Sequence, residues 1–157
     1  MKKSLIVVYS YHHRNTEKIA GAMAKVLGCE IAHPGDKTHE DISGCDIVGF
    51  GAGIDSGKHY APMLEFARKL APVQGKKAFI FSTSAILGAK KVKKDHLALR
   101  EILISKGYEI ADEFACKGYN TNSFLKFIGG MNKGRPDERD LGSAADFAGK
   151  LMNAAFK

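Results

Sequence analysis

The chain has 157 residues, 45% of them hydrophobic and 26% charged, with a formal net charge of +7. That length suits one domain over residues 1–157 with its own core, and the composition excludes a disordered chain. No apolar run approaches the roughly 20 residues that span a bilayer, so no transmembrane segment is expected. With 17 Gly, 4 Pro and no internal repeat, collagen-like and low-complexity classes are excluded too. The positive excess admits nucleic acid, an anionic membrane surface or an acidic protein as partner. Cys29, Cys45 and Cys116 are an odd, widely spaced set without a CxxC. They support neither a thioredoxin-type motif nor a zinc ribbon nor a disulfide scaffold, and point to a reducing cytoplasm. Leu5–Val8 after Lys2 and Lys3 is too short for a secretion signal and reads as a buried strand.

Ser4–Tyr9 is a β-branched apolar run, the pattern of a strand buried on both faces. A polar stretch, Ser10–Thr16, leads into a helix from Asn15 to Leu27, where Ile19, Ala20, Met23, Ala24 and Leu27 recur at helical spacing. Cys29–His33 is a weak second strand. Asp46–Gly51 is a third, followed by a glycine-bearing loop over Ala52–Gly57. Pro62 stands near the start of a helix through Leu64, Phe66, Ala67 and Leu70. Lys77–Ser82 is a fourth strand. A loop from Thr83 to Ala89 opens a helix carrying Leu97, Leu99, Ile102 and Leu103, ended by Gly107. Glu109–Cys116 is a fifth strand and Asp140–Phe156 a last helix. Strands and helices that alternate in this way imply βαβ units and a parallel sheet covered on both faces.

In such sheets ligands bind beyond the carboxyl ends of the strands, where three loops fall. Ser10–Thr16 supplies hydroxyls, an amide, imidazoles and a guanidinium at a helix start, which is chemistry for a phosphate. It is not a Walker A loop, because no G-K-[ST] follows. Gly49-Phe50-Gly51-Ala52-Gly53 misses the G-x-G-x-x-G spacing, since Ser56 stands where the last glycine belongs. Its glycines read instead as places of close backbone approach to a flat ring.

These residues carry a resemblance. Tyr9-Ser10-Tyr11-His12-His13-Arg14-Asn15-Thr16 resembles the phosphate loop of flavodoxins. Val48–Tyr60, with Gly51-Ala52-Gly53-Ile54-Asp55-Ser56-Gly57-Lys58-His59, resembles the second flavin loop, in the form found in menaquinone-dependent protoporphyrinogen oxidases. Phe81-Ser82-Thr83-Ser84 resembles the start of the third loop. The resemblance implies a flavodoxin-like three-layer α/β/α sandwich, with a five-stranded parallel sheet of order 2-1-3-4-5. It also implies noncovalent flavin mononucleotide (FMN). On the matching positions Ser10, His12, Arg14, Asn15 and Thr16 would hold its phosphate. Ala52, Gly53, Ile54, Asp55, Ser56 and Gly57, with Ser82, Thr83, Ser84, Ala85, Ile86 and Gly88, would flank its ring. The chain has no Trp, which leaves Tyr11, Tyr60 or Tyr119 as the aromatic beside that ring. The Ser56–Gly57 peptide reads either as one that flips to bond the reduced flavin or as a plain turn. Arg14 stands where the family commonly has Gly.

The six histidines show no metal-ligand spacing, and Cys45 and Cys116 read as small buried hydrophobes. Lys90-Lys91-Val92-Lys93-Lys94 falls after the third loop, on the ligand edge. It suits an acidic redox partner protein, a small anionic or quinone substrate, or peripheral membrane contact. Without interleaved aromatics or a recognition motif it does not suit nucleic acid. The connection 118–139 is unusually long. Its Phe124, Phe127 and Ile128 suit a cover over the flavin edge, a dimer contact or a hydrophobic substrate. The preferred expectation is an FMN electron carrier. The alternatives are an FMN-dependent quinone or protoporphyrinogen-type oxidoreductase, and a flavin-free binding or regulatory domain on the same fold.

Overall fold

Ser4–Tyr9 forms β1, as its four fully apolar central residues demand, and pairs in parallel with both of its neighbours. The computed structural model describes residues 2–10, 14–119 and 130–155. After β1 come α1 (Asn15–Leu27), β2 (Glu30–Ala32), α2 (His39–Ser43), β3 (Ile47–Asp55), β4 (Lys58–His59) and α3 (Ala61–Arg68). Next are β5 (Lys76–Ser84), α4 (Ala89–Asp95), α5 (Leu97–Ser105), β6 (Tyr108–Lys117) and α6 (Glu138–Ala155). The sheet runs β2-β1-β3-β5-β6, and β4 hangs off β3 as an antiparallel addition. Its five parallel strands therefore have the expected order 2-1-3-4-5.

Two cores hold the layers together. On one face Leu5, Val7, Val48, Phe50, Ala52, Ala78 and Ile80 meet Met63 and Leu64 of α3 and Leu99 and Leu103 of α5. On the other Ile6, Val8, Ile47, Phe79 and Phe81 meet Ile19 and Met23 of α1 and Phe147 and Leu151 of α6. The alternation along each strand sends successive side chains to opposite layers, and both layers are apolar because helices cover both faces.

The differences from the sequence expectation have local causes. β3 runs four residues past Gly51, because Ala52–Asp55 continue the ladder with β5 and then fold back on β4. Ser56 and Gly57 both have positive φ (53° and 78°). This is the signature of a two-residue hairpin turn whose twist matches its strands, so the expected Ala52–Gly57 loop is a hairpin. β5 likewise continues to Ser84. The helix expected after the third loop is two helices that meet at His96. The expected room for a flat ring at Gly49 and Gly51 is taken by protein. A Cβ at either would lie 2.2 Å from atoms of Phe79 or Phe81. α2 was not foreseen. It starts at a capping box, Thr38 with Asp41.

Among the described residues no helix is long and apolar enough to cross a membrane. Phe124, Phe127 and Ile128 lie outside the described residues.

Candidate functional site

The first loop ends at Arg14, which takes the left-handed conformation (φ 54°, ψ 31°) as the N-cap of α1 and makes no side-chain cap bond. The first N–H groups of α1 have no carbonyl four residues earlier within the helix, and no capping side chain at Arg14 takes one. They point out at the carboxyl edge of the sheet, where the helix dipole favours an anion. The Arg14 guanidinium is exposed and paired with Glu17, which also meets Nε2 of His33 at 2.9 Å. The hydrogen bond from Arg14, and a weaker one from His33, hold the Glu17 carboxyl below its ordinary value despite some burial.

Asn15 and Thr16 lie inside the first turn and are buried. Thr16 Oγ1 is 2.8 Å from Thr83 Oγ1, so the first and third loops are joined directly. Asn15 Nδ2 donates to the Tyr119 carbonyl at 2.8 Å, while its buried Oδ1 has no donor among the described residues. Gly118 permits that seat, since a Cβ there would come within 2.6 Å of Asn15 Nδ2. Ser10 follows β1 and is half-buried. His12 and Tyr11 lie outside the described residues.

The second loop is the β3–β4 hairpin. Ala52 and Gly53 are buried in the ladder opposite Ser82 and Thr83, whereas Asp55, Ser56 and Gly57 are exposed at the tip. Gly53 lies against Tyr60, where an added Cβ would sit 2.5 Å from the ring. Tyr60 in turn meets Tyr9 edge-on at 6.1 Å. In the third loop, Ser84 Oγ donates to the Ile86 carbonyl at 2.7 Å. Asn132 Nδ2 donates to the Ala85 carbonyl at 2.7 Å, which ties the segment before α6 to this edge. Gly88 precedes α4, and Ile86 is 57% exposed, an apolar side chain at the rim.

The Ser82 hydroxyl does not face that rim. It lies 2.7 Å from Nε2 of His96, inside the α3–α5 layer. Behind it stands a set of polar side chains that sequence reasoning missed: His59, His96, Arg100 and Glu113. Burial opposes the Glu113 charge, but hydrogen bonds from His96 and Arg100 outweigh it and bring its pKa down to about 2. The available signal was His96 in the apolar register of Val92, Leu99 and Leu103, together with a Glu within a half-buried strand. The Cys116 thiol, pushed up to about 12 by burial, is no nucleophile.

The arrangement is an edge with helix N–H donors on one side, a polar acceptor without a donor beside them, and a hairpin and a tied loop opposite. It suits a ligand that carries an anionic end and a hydroxyl donor.

A family model described as a flavodoxin domain matches residues 6–139. The curated "Uncharacterized protein MJ0298" of Methanocaldococcus jannaschii is 42% identical over 150 residues, 96% of this chain and 98% of that one. Among solved structures, a flavodoxin from the domain Archaea matches with a TM-score of 0.74 at 16% identity, over 98% of this chain and 99% of that one. Oxidised Flavodoxin 1 from Bacillus cereus matches with a TM-score of 0.68 at 16% identity, over 96% and 98%. At such identities the structural likeness speaks for the fold alone.

Proposed function

Since the chain belongs to the flavodoxin domain family, we propose that it binds FMN noncovalently and works as an electron carrier, its flavin cycling between oxidised and reduced states. The observation that carries this reading is the start of α1. Helix N–H groups without a side-chain cap fit a phosphate, and the buried, donorless Oδ1 of Asn15 beside them fits a hydroxyl donor such as those of a ribityl chain. An unpartnered buried acceptor costs about 1–3 kcal/mol, and a ligand hydroxyl there would offset that cost.

When bound, the flavin supplies the electron chemistry, and the protein supplies placement and electrostatics. In this reading the first turn of α1, with Arg14, holds the phosphate. Thr16 and Thr83 keep the first and third loops in register. The Ser56–Gly57 turn and the Ser84–Gly88 segment border the ring, and Tyr60, which lies against Gly53, is an aromatic beside the hairpin. Lys58, Lys90, Lys93 and Lys94 are exposed around that edge. Their field favours the reduced, negatively charged flavin. It also suits an acidic redox partner protein that docks over the exposed Ile86.

The visible spectrum of the purified protein and the quenching of added FMN test this reading. A flavin absorption with quenched fluorescence is expected. A colourless protein that leaves FMN fluorescence unchanged would overturn it in favour of a flavin-free domain. Turnover of NAD(P)H with a quinone in the absence of a partner protein would replace the carrier with an oxidoreductase.

A further inference from the structure

His96 sits at the junction of α4 and α5 with no exposed surface. Its Nδ1 lies 2.8 Å from Oε1 of Glu113 on β6, and its Nε2 2.7 Å from Oγ of Ser82 on β5. Glu113 also accepts from Nε and Nη2 of Arg100 on α5, each at 2.7 Å. The ring of His59 on β4 is 4.9 Å from that of His96. His59 Nε2 is 3.1 Å from the Phe81 carbonyl and donates to it, while its buried Nδ1 makes no hydrogen bond of normal geometry among the described residues. On α4, buried Asp95 is paired with Lys91. Of the other charged groups on α4 and β4, Lys58, Lys90, Lys93 and Lys94 are exposed to solvent.

Two imidazoles so close compete for one positive charge. His96 has a carboxylate on one nitrogen to balance it and His59 has none. Burial, and then repulsion from His96, brings the His59 pKa down to about 3. Because a carboxylate only accepts, Nδ1 of His96 carries the hydrogen, and a neutral Nε2 accepts from the Ser82 hydroxyl. A proton that reaches Nε2 reverses this bond. Nε2 then donates, Ser82 Oγ accepts, and the serine's own hydrogen turns away. The order Ser–His–Glu is that of a hydrolase triad, but Ser82 is only 2% exposed. That burial excludes an acyl substrate.

We propose that His96, acting through Ser82, is the proton-holding residue of the redox site: it takes up one proton when the bound flavin is reduced and gives it back on reoxidation. The proposal rests on the flavin reading above. For every two electrons that a donor delivers, two protons come from water. One would be taken up by the cofactor, leaving it with a single negative charge. The other bonds to Nε2 of His96, turning imidazole into imidazolium. The acceptor removes the two electrons and both protons return to water. Ser82 stands in register with Ala52, between the hairpin and the third loop. With the cofactor bound as proposed, the imidazolium would lie behind β3 and β5, where low dielectric would let it offset the cofactor's charge.

The test is imidazole nitrogen NMR of the FMN-loaded protein, oxidised and then reduced with dithionite, from about pH 5 to 9. Reduction is expected to raise the proton affinity of His96 about tenfold or more, with His59 neutral in both states. Potentiometry of the same sample is expected to show two protons per two electrons between the two His96 midpoints, and one in His96→Gln. Glu113→Gln, which keeps the size but removes the counter-charge, is expected to lower the His96 midpoint in both states. Identical His96 titration in the two states, or an unchanged proton count in His96→Gln, overturns the proposal and leaves the flavin reading standing. FMN fluorescence that is not quenched overturns the flavin reading, and this proposal with it.

Discussion

On its α1–α6 face, β5 presents Phe79 and Phe81. Their rings are stacked 6.0 Å apart, lie over Gly49 and Gly51, and Phe79 meets Phe147 at 6.0 Å. One residue further along, on the α3–α5 face, it presents Ser82, whose hydroxyl joins the chain of His96, Glu113 and Arg100. The first region is held by shape alone: aromatic bulk fits only because β3 has no side chains opposite. The second is held by hydrogen bonds, every member of which needs a partner in a low-dielectric layer. A shape-held region is sensitive to added volume and indifferent to pH. A bond-held region tolerates volume better but responds to protons.

The largest expected effect breaks the first region. Gly51→Ala places a Cβ 2.2 Å from two atoms of the buried Phe81 ring. It is expected to cost about 3 kcal/mol or more in urea unfolding; an unchanged midpoint would show that Phe81 has room to move. Next is the pH response of the second region. His59 titrates at about 6.5 when unfolded and at about 3 when folded. Between these values the unfolded chain binds a proton that the native state does not. Stability therefore falls as pH falls, by at most about 1.4 kcal/mol per pH unit. Glu113 has the opposite chemistry but the same sign. Its folded pKa is depressed to about 2. Its contribution is complete above the ordinary carboxylate value of about 4.3 and is lost as pH falls through about 2. In His59→Gln the loss between about pH 6 and 4.5, about 2 kcal/mol, is expected to vanish. A slope equal to that of the parent would place the proton elsewhere.

Arg14→Glu leaves both regions intact and puts a negative charge at the start of α1. FMN affinity is expected to drop about tenfold or more, read by fluorescence titration, and equal affinity would remove Arg14 from phosphate binding. The smallest effect sharpens the comparison by adding one bond-held pair on the aromatic side. Thr83→Val strands the buried Thr16 hydroxyl and is expected to cost about 1 kcal/mol in chemical denaturation.

The strand order and the layers were legible because both depend on periodicity. Ile19, Met23 and Leu27 recur at helical spacing, and Leu5–Val8 is apolar without interruption, so each declares its own burial. The direct junction of the first and third loops was not legible, since Thr16 and Thr83 are 67 residues apart and a hydroxyl carries no mark of its partner. The β3–β4 hairpin was not legible because Ser56-Gly57 is weaker turn chemistry than Asn-Gly or Asp-Gly. The α4–α5 break was missed because Asp95-His96 contains neither Gly nor Pro.

By itself, then, the sequence determined the alternation of elements, the apolar faces and the place of a polar, donor-rich loop at a strand end. These follow from local spacing and residue type. Only the tertiary structure decided that the glycines of β3 make room for Phe79 and Phe81, that Ser82 turns inward, and that two histidines 37 positions apart share one buried site. Each is a contact between segments distant along the chain, and which segments meet is settled when the whole sheet closes and buries both faces at once.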